Sequence, residues 1–120
     1  MPANAAAPLF DLIREEQPAD IRGIRRVNNL AFGQHAEGEI VDRLRASGCD
    51  CLSLVAVRDD GIVGHILFSP AYIEAGGRGE RVWGMGLAPM AVLPDWQGRG
   101  IGSALIETGI SCLRERGCPF

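Results

Sequence analysis

Three glycines two residues apart, Gly98, Gly100 and Gly102, stand in the run Gln97-Gly98-Arg99-Gly100-Ile101-Gly102-Ser103, with an apolar stretch before it and an amphipathic one after it. Missing side chains let a ligand come close to the backbone. The first turn of a helix leaves several N–H groups without intrahelical partners, and aligned peptide dipoles add partial positive charge there. A phosphate group suits such a place. Arg99 would bring a full charge nearby and can meet a phosphate with two hydrogen bonds at once. The plain structural alternative is a glycine-rich turn from strand to helix, but the coincidence of three glycines, an arginine and a helix start favours the ligand.

Three kinds of phosphate loop compete for this run. The nucleotide-triphosphatase loop needs Gly-Lys-Ser/Thr, and all 12 basic residues here are arginine. The same lack of lysine removes Schiff-base chemistry. The dinucleotide fingerprint Gly-x-Gly-x-x-Gly would need glycine where Ser103 stands, and an acidic residue closing a following strand, which the chain does not offer. A third pattern, Gln/Arg-x-x-Gly-x-Gly/Ala after an apolar strand and Pro-Asp, is the one present.

The elements around the loop can be read from spacing. Leu9 to Arg14 alternates weakly and suits a short strand after a loose tail at residues 1–8. Asp20 is placed to cap a helix whose face is Ile21, Ile24, Val27 and Leu30 or Ala31, with Arg22, Arg25 and Arg26 on a solvated side, ending near Gly33. A second helix fits Glu37 to Ala46, stopped by Gly48. Leu52 to Val57 and Ile62 to Phe68 read as a hairpin about Arg58-Asp59-Asp60-Gly61, the second strand running towards Ile73 past Pro70. A polar surface loop from Ala75 to Arg81 follows, then an apolar strand from Val82 to Leu93. Gly84, Gly86 and Pro89 weaken that strand, and Pro89, with no N–H for a ladder, predicts a bulge. Ile101, Leu105, Ile106, Ile110 and Leu113 mark the last helix, with Arg114 and Arg116 in its final turn before Gly117. The order β-α-α-β-β-β-α gives an α+β, or mixed α/β, class: a central, mostly antiparallel sheet flanked by helices.

The run Met90-Ala91-Val92-Leu93-Pro94-Asp95-Trp96-Gln97-Gly98-Arg99-Gly100-Ile101-Gly102-Ser103-Ala104-Leu105-Ile106 resembles the GNAT superfamily of acetyl-CoA-dependent N-acyltransferases at nearly every position where that family is selective. The resemblance extends over about residues 9 to 118, with Ile62-Val63-Gly64-His65-Ile66 opening the third strand. It implies acetyl-CoA (coenzyme A) as cofactor. The diphosphate would sit on backbone N–H groups of Gly98, Arg99, Gly100, Ile101, Gly102 and Ser103, beside Gln97, and the pantetheine arm would pair like a strand with Met90, Ala91 and Val92. It further implies that a neutral amine attacks the thioester, that a backbone N–H of the fourth strand stabilises the oxyanion, and that coenzyme A leaves as thiolate.

The chain departs from that family at its end. Members usually continue with a splayed fifth strand and a helix whose tyrosine protonates the sulfur; here the sequence stops at Phe120, and its single tyrosine is Tyr72. The expectation is therefore a single domain over 1–120 without the C-terminal strands. Either a neighbouring chain covers the resulting strand edge, making a homo-oligomer, or the sequence is part of a longer coding frame. His65 reads as a satisfied structural histidine and Glu74 as a rim carboxylate, so no catalytic residue is named. Trp83 and Trp96 read as core aromatics before cleft ones.

Composition bounds the rest. A chain of 120 residues, 47% hydrophobic, has room for one compact core and not two. With 22% charged residues, a net charge of −3 and no block of like charges, nucleic acid is not an expected partner. Cys49, Cys51, Cys112 and Cys118 are too few and too uneven for a disulfide scaffold or a zinc site and read as four reduced thiols. No window has the apolar length of a membrane span, and the alanine run near Met1 lacks a signal peptide's basic leader, so a cytoplasmic protein is expected. The partners expected are a small-molecule or protein amine. The alternative to an N-acetyltransferase is an incomplete domain that binds acyl-CoA without turnover.

Overall fold

The computed structural model describes residues 12–48, 51–59, 61–75, 77 and 79–117. The expected tail at 1–8, the start of the first expected strand, Cys49, Asp60 and Cys118 lie outside those residues. Four strands, β1 (Leu12–Glu15), β2 (Leu52–Arg58), β3 (Gly61–Ala75) and β4 (Glu80–Val92), pair in sequence order, every neighbour antiparallel. Helices α1 (Ile21–Phe32) and α2 (Ala36–Ala46) cover one face and α3 (Ile101–Glu115) the other.

Alternation along the strands explains the two faces. Leu52, Leu54 and Ala56 point the same way and, with Ile66 and Phe68, meet Ile101, Leu105 and Leu113 of α3. Val55 and Leu67 point oppositely and meet Ile24 of α1 and Val41 of α2. Each of these large aliphatic side chains, withdrawn from water, contributes about 1.5–3 kcal/mol. α3 sits close to the sheet because Gly109 lies over the Phe68 ring, where a Cβ would come within 2.6 Å of Cζ.

The expected bulge is present. Ile66 pairs with Met90 and Phe68 with Leu87, so Ala88 and Pro89 together oppose Leu67. A second irregularity, between Ala56 and Val57, sets Val63 into the α3 side of the core.

Several expectations need correction. The connection between β3 and β4 is shorter than the loop 75–81, because Ala75 already pairs with Glu80 and Glu74 with Arg81. β3 does run past Pro70, as expected, pairing there with Met85 and continuing to Ala75. Asp20 does not cap α1 with its side chain. Its carboxylate instead accepts the Gln17 N–H at 2.7 Å and both Arg14 terminal nitrogens at 2.6 and 3.1 Å, closing the one-turn helix Pro18–Asp20. Arg14 thereby holds that carboxyl below its ordinary range. Cys51 is disulfide-bonded, against the reading of four reduced thiols, and Cys112 is a free thiol. Trp83 is 53% exposed, its ring tilted 55° against that of Tyr72 at 5.0 Å between centroids, outside the core, because the β3–β4 hairpin extends past the cover of α3. No described helix is long and apolar enough to cross a membrane.

Candidate functional site

A cleft of about 380 Å³ opens where β4, the loop after it and α3 meet, closed opposite by the last turn of α1. β4 ends the sheet, so among the described residues one of its edges has no strand partner. After Val92 the chain turns sharply through Pro94–Trp96, fixed by Leu93 N–H to Val63 O at 2.9 Å and Trp96 N–H to Leu93 O at 2.8 Å. Gln97 then ties the loop back to the strand, its Nε2 donating to Val92 O at 3.0 Å.

The loop's glycines have a backbone reason. Gly98 (φ 72°) and Gly100 (φ 89°) both adopt left-handed conformations, with open space where a Cβ would be. Steric room is not what selects glycine here; the dihedral is. Gly100 is the N-cap of α3, and the first helical bond runs from Ala104 N–H to Gly100 O at 3.0 Å. The amides of Ile101, Gly102 and Ser103 therefore precede the helical ladder at the positive end of the dipole.

Of the ten residues the sequence assigned to the cofactor, Met90, Ala91, Val92, Gln97, Gly98, Gly100, Ile101, Gly102 and Ser103 line this cleft. Arg99 does not. Its guanidinium lies over the Trp96 ring, 5.5 Å from the centroid, while Arg58 approaches the same ring at 5.2 Å. Ala31, Phe32, Trp96 and Ile106 complete the lining. Trp96 is thus both a cleft wall and a neighbour of the core. Ala31 and Phe32 were missed because nothing local in α1 marks them; only the folded sheet brings them opposite β4. None of the described lining side chains is ionisable.

The ionisable groups gather elsewhere, on the α1 and α2 face. His65 is fully buried. Asn28 Nδ2 approaches its Nδ1 at 3.1 Å, and Ser53 Oγ its Nε2 at 2.9 Å. An amide NH₂ can only donate, so Nδ1 accepts and Nε2 carries the proton. Ser53 donates onward to Glu16 at 2.8 Å, and Arg45 grips Glu16 at 2.7 and 3.0 Å. Burial pushes the His65 imidazole down to about 4, with Glu16 opposing the shift and Arg45 adding to it. Burial alone would raise the Glu16 carboxyl; hydrogen bonds from Arg45 and Ser53 outweigh it and leave the group below its ordinary value. His65 is a satisfied structural histidine, as its apolar strand suggested. Tyr72 and Glu74 do not line the cleft.

Comparison with known proteins bears on this geometry. The sequence profile described as the acetyltransferase (GNAT) family matches residues 10–120. The chain is 36% identical over 107 residues to YhbS, an uncharacterised N-acetyltransferase of Escherichia coli, covering 88% of this chain and 62% of that protein. It is 41% identical over 102 residues to YjhQ, another uncharacterised N-acetyltransferase of that bacterium, covering 83% and 55%. The chain thus spans little more than half the length of these curated relatives. Among solved structures, a GNAT family acetyltransferase from Brucella melitensis in complex with acetyl-CoA superposes with a TM-score of 0.76 at 46% identity, over 89% of this chain and 70% of that one. The crystal structure of YhbS in complex with CoA superposes with a TM-score of 0.82 at 35% identity, over 93% and 61%. On the family match over nearly its whole length, and on these relatives, the chain belongs to the GNAT acetyltransferase family.

Proposed function

We propose that this chain binds acetyl-CoA in the cleft between β4 and α3 and serves in transfer of its acetyl group to a primary amine of a small molecule or a protein. The observation that carries the reading is the coincidence, along one cleft, of an open strand edge and helix-start amides with no charged side chain between them. The donor set fits a diphosphate: backbone N–H groups of Gly98 to Ser103 would take its oxygens, and the backbone of Met90, Ala91 and Val92 would take the amide-bearing pantetheine arm. Bound there, the cofactor supplies an activated acetyl thioester. The chain's own contribution is orientation, exclusion of water by Phe32, Trp96 and Ile106, and fixed dipoles aimed at developing charge. Among the described residues, the cleft lining offers neither acid nor base.

The same absence favours a second reading, in which the chain binds acyl-CoA without turning it over. Calorimetry with acetyl-CoA, followed by thiol release with a panel of amines, separates the two. Binding with release supports the transferase, and binding without release supports the alternative. No binding at millimolar acetyl-CoA would discard both. We further propose cytoplasmic residence and self-association through the β4 edge, where Trp83 and Leu87 are exposed. A strictly monomeric species in sedimentation at micromolar concentration would overturn the association.

A further inference from the structure

His65 occupies a position that joins the two walls of the cleft. Its backbone pairs with Ala91 of β4, on one wall. Its imidazole, through Nδ1, is bonded to Asn28 of α1. Ala31 and Phe32, three and four residues further along that helix and on the same side, form the opposite wall. We infer that the Asn28–His65 pair is a positioning device that fixes the last turn of α1 over β4 and so sets the width of the cleft. This rests on the cleft being the acetyl-CoA site.

The energetics of Asn28 point the same way. Its Nδ2 serves both Ile24 O at 2.9 Å and His65, but its Oδ1 is buried without a hydrogen-bond partner among the described residues. A buried polar atom left in that state costs stability, and an apolar side chain of similar size would avoid the cost. What asparagine adds there is direction: one amide, held from its own helix, aimed at one ring nitrogen of the neighbouring strand. The other ring nitrogen faces Ser53 and Glu16, away from the cleft lining. The imidazole thus has one bond towards α1 and the cleft and one towards the α2-side network.

Cutting the two bonds separately tests the inference. Asn28→Ala and Ser53→Ala each strip one partner from the same buried ring, so both lower thermal stability. Asn28→Ala alone should speed hydrogen exchange at the amides of Leu30 to Gly33, and should weaken acetyl-CoA binding roughly tenfold more than Ser53→Ala does. A rescue sharpens this: in His65→Asn the amide oxygen can stand where Nδ1 stood, whereas His65→Gln can keep only the bond to Ser53. His65→Asn should recover most of the affinity that His65→Gln loses. Equal exchange at Leu30 to Gly33 in Asn28→Ala and Ser53→Ala, at matched stability, would overturn the inference, as would affinities that simply follow melting temperature. Exchange needs no ligand, so selective loosening of that turn in a chain that binds no acetyl-CoA would leave the positioning in place and remove the cofactor assignment.

Discussion

The two faces of the sheet are built on opposite plans. At the cleft, polarity is supplied by backbone amides at a helix start, and no described lining side chain ionises. On the α1 and α2 face, polarity is supplied by side chains, with Asn28, His65, Ser53, Glu16 and Arg45 joined in one chain of hydrogen bonds. A backbone site is made by consecutive residues and tolerates changes of side chain; a side-chain network fails when one member is lost, because the others stay buried. Stability should therefore depend on every member of the network, and ligand affinity on the loop amides and, within the network, only on the Asn28–His65 bond that holds the last turn of α1.

The largest effect expected is from acid. The folded-state pKa of His65, about 4, lies below its ordinary 6.5. Between those values the unfolded chain binds the proton and the folded one does not, so stability is full above pH 6.5 and is lost as pH falls towards 4. At about 1.4 kcal/mol per unit the loss from this group approaches 3 kcal/mol. The lowered carboxyls of Glu16 and Asp20 contribute stability above the ordinary carboxylate range and lose it as pH falls through their folded values, extending the decline. Urea unfolding at stepwise pH checks this; a flat free energy from pH 7 to 4.5 would refute a neutral buried His65.

Next comes Ser53→Ala. It leaves the Nε2–H of His65 without an acceptor in a buried site, a cost of about 1–3 kcal/mol in chemical denaturation. Acetyl-CoA affinity, by calorimetry, should stay within error of the unmodified protein, since Ser53 lies outside the cleft lining. An affinity change as large as the stability change would break the contrast between the faces.

Gly100→Ala probes the other plan. A left-handed φ of 89° strains any residue with a Cβ, so the loop either pays about 1–2 kcal/mol or shifts. If the loop shifts, the amides leave their present directions and acetyl-CoA affinity drops by roughly tenfold or more. Unchanged affinity together with unchanged stability would show that the left-handed turn is not needed.

What could be read from sequence follows from the same division. The loop from Gln97 to Ser103 was legible because the whole device is local: glycines for dihedrals, a helix start for dipoles, Pro89 for a bulge. The three helices and the spans of the central strands followed from apolar spacing for the same reason. The network was not legible, because Asn28 and His65 are 37 residues apart and neither carries a local signal of its partner. Nor was the wall formed by Ala31 and Phe32, which exists only once α1 crosses β4. The shortness of the β3–β4 turn escaped too: the polar, glycine-rich composition of 75–81 reads as loop, yet Glu74 and Ala75 pair with Arg81 and Glu80.

Arg99 gives the smallest and most discriminating expectation, because there sequence and structure disagree. Its place in the loop suggested a bidentate grip on phosphate, yet its guanidinium rests on Trp96 and does not line the cleft. To reach a ligand it must leave the ring, giving up about 0.5–1 kcal/mol of cation–π contact at an exposed position, for a solvent-screened charge contact of similar size. The two nearly cancel. Arg99→Ala should therefore weaken acetyl-CoA binding by no more than about fivefold, with the difference shrinking further as salt rises. Calorimetry at low and high ionic strength reads both. A loss beyond about thirtyfold would mean that a side-chain charge, and not the amides of the helix start, carries the affinity of this face, and the two faces would then differ only in which side chains they use.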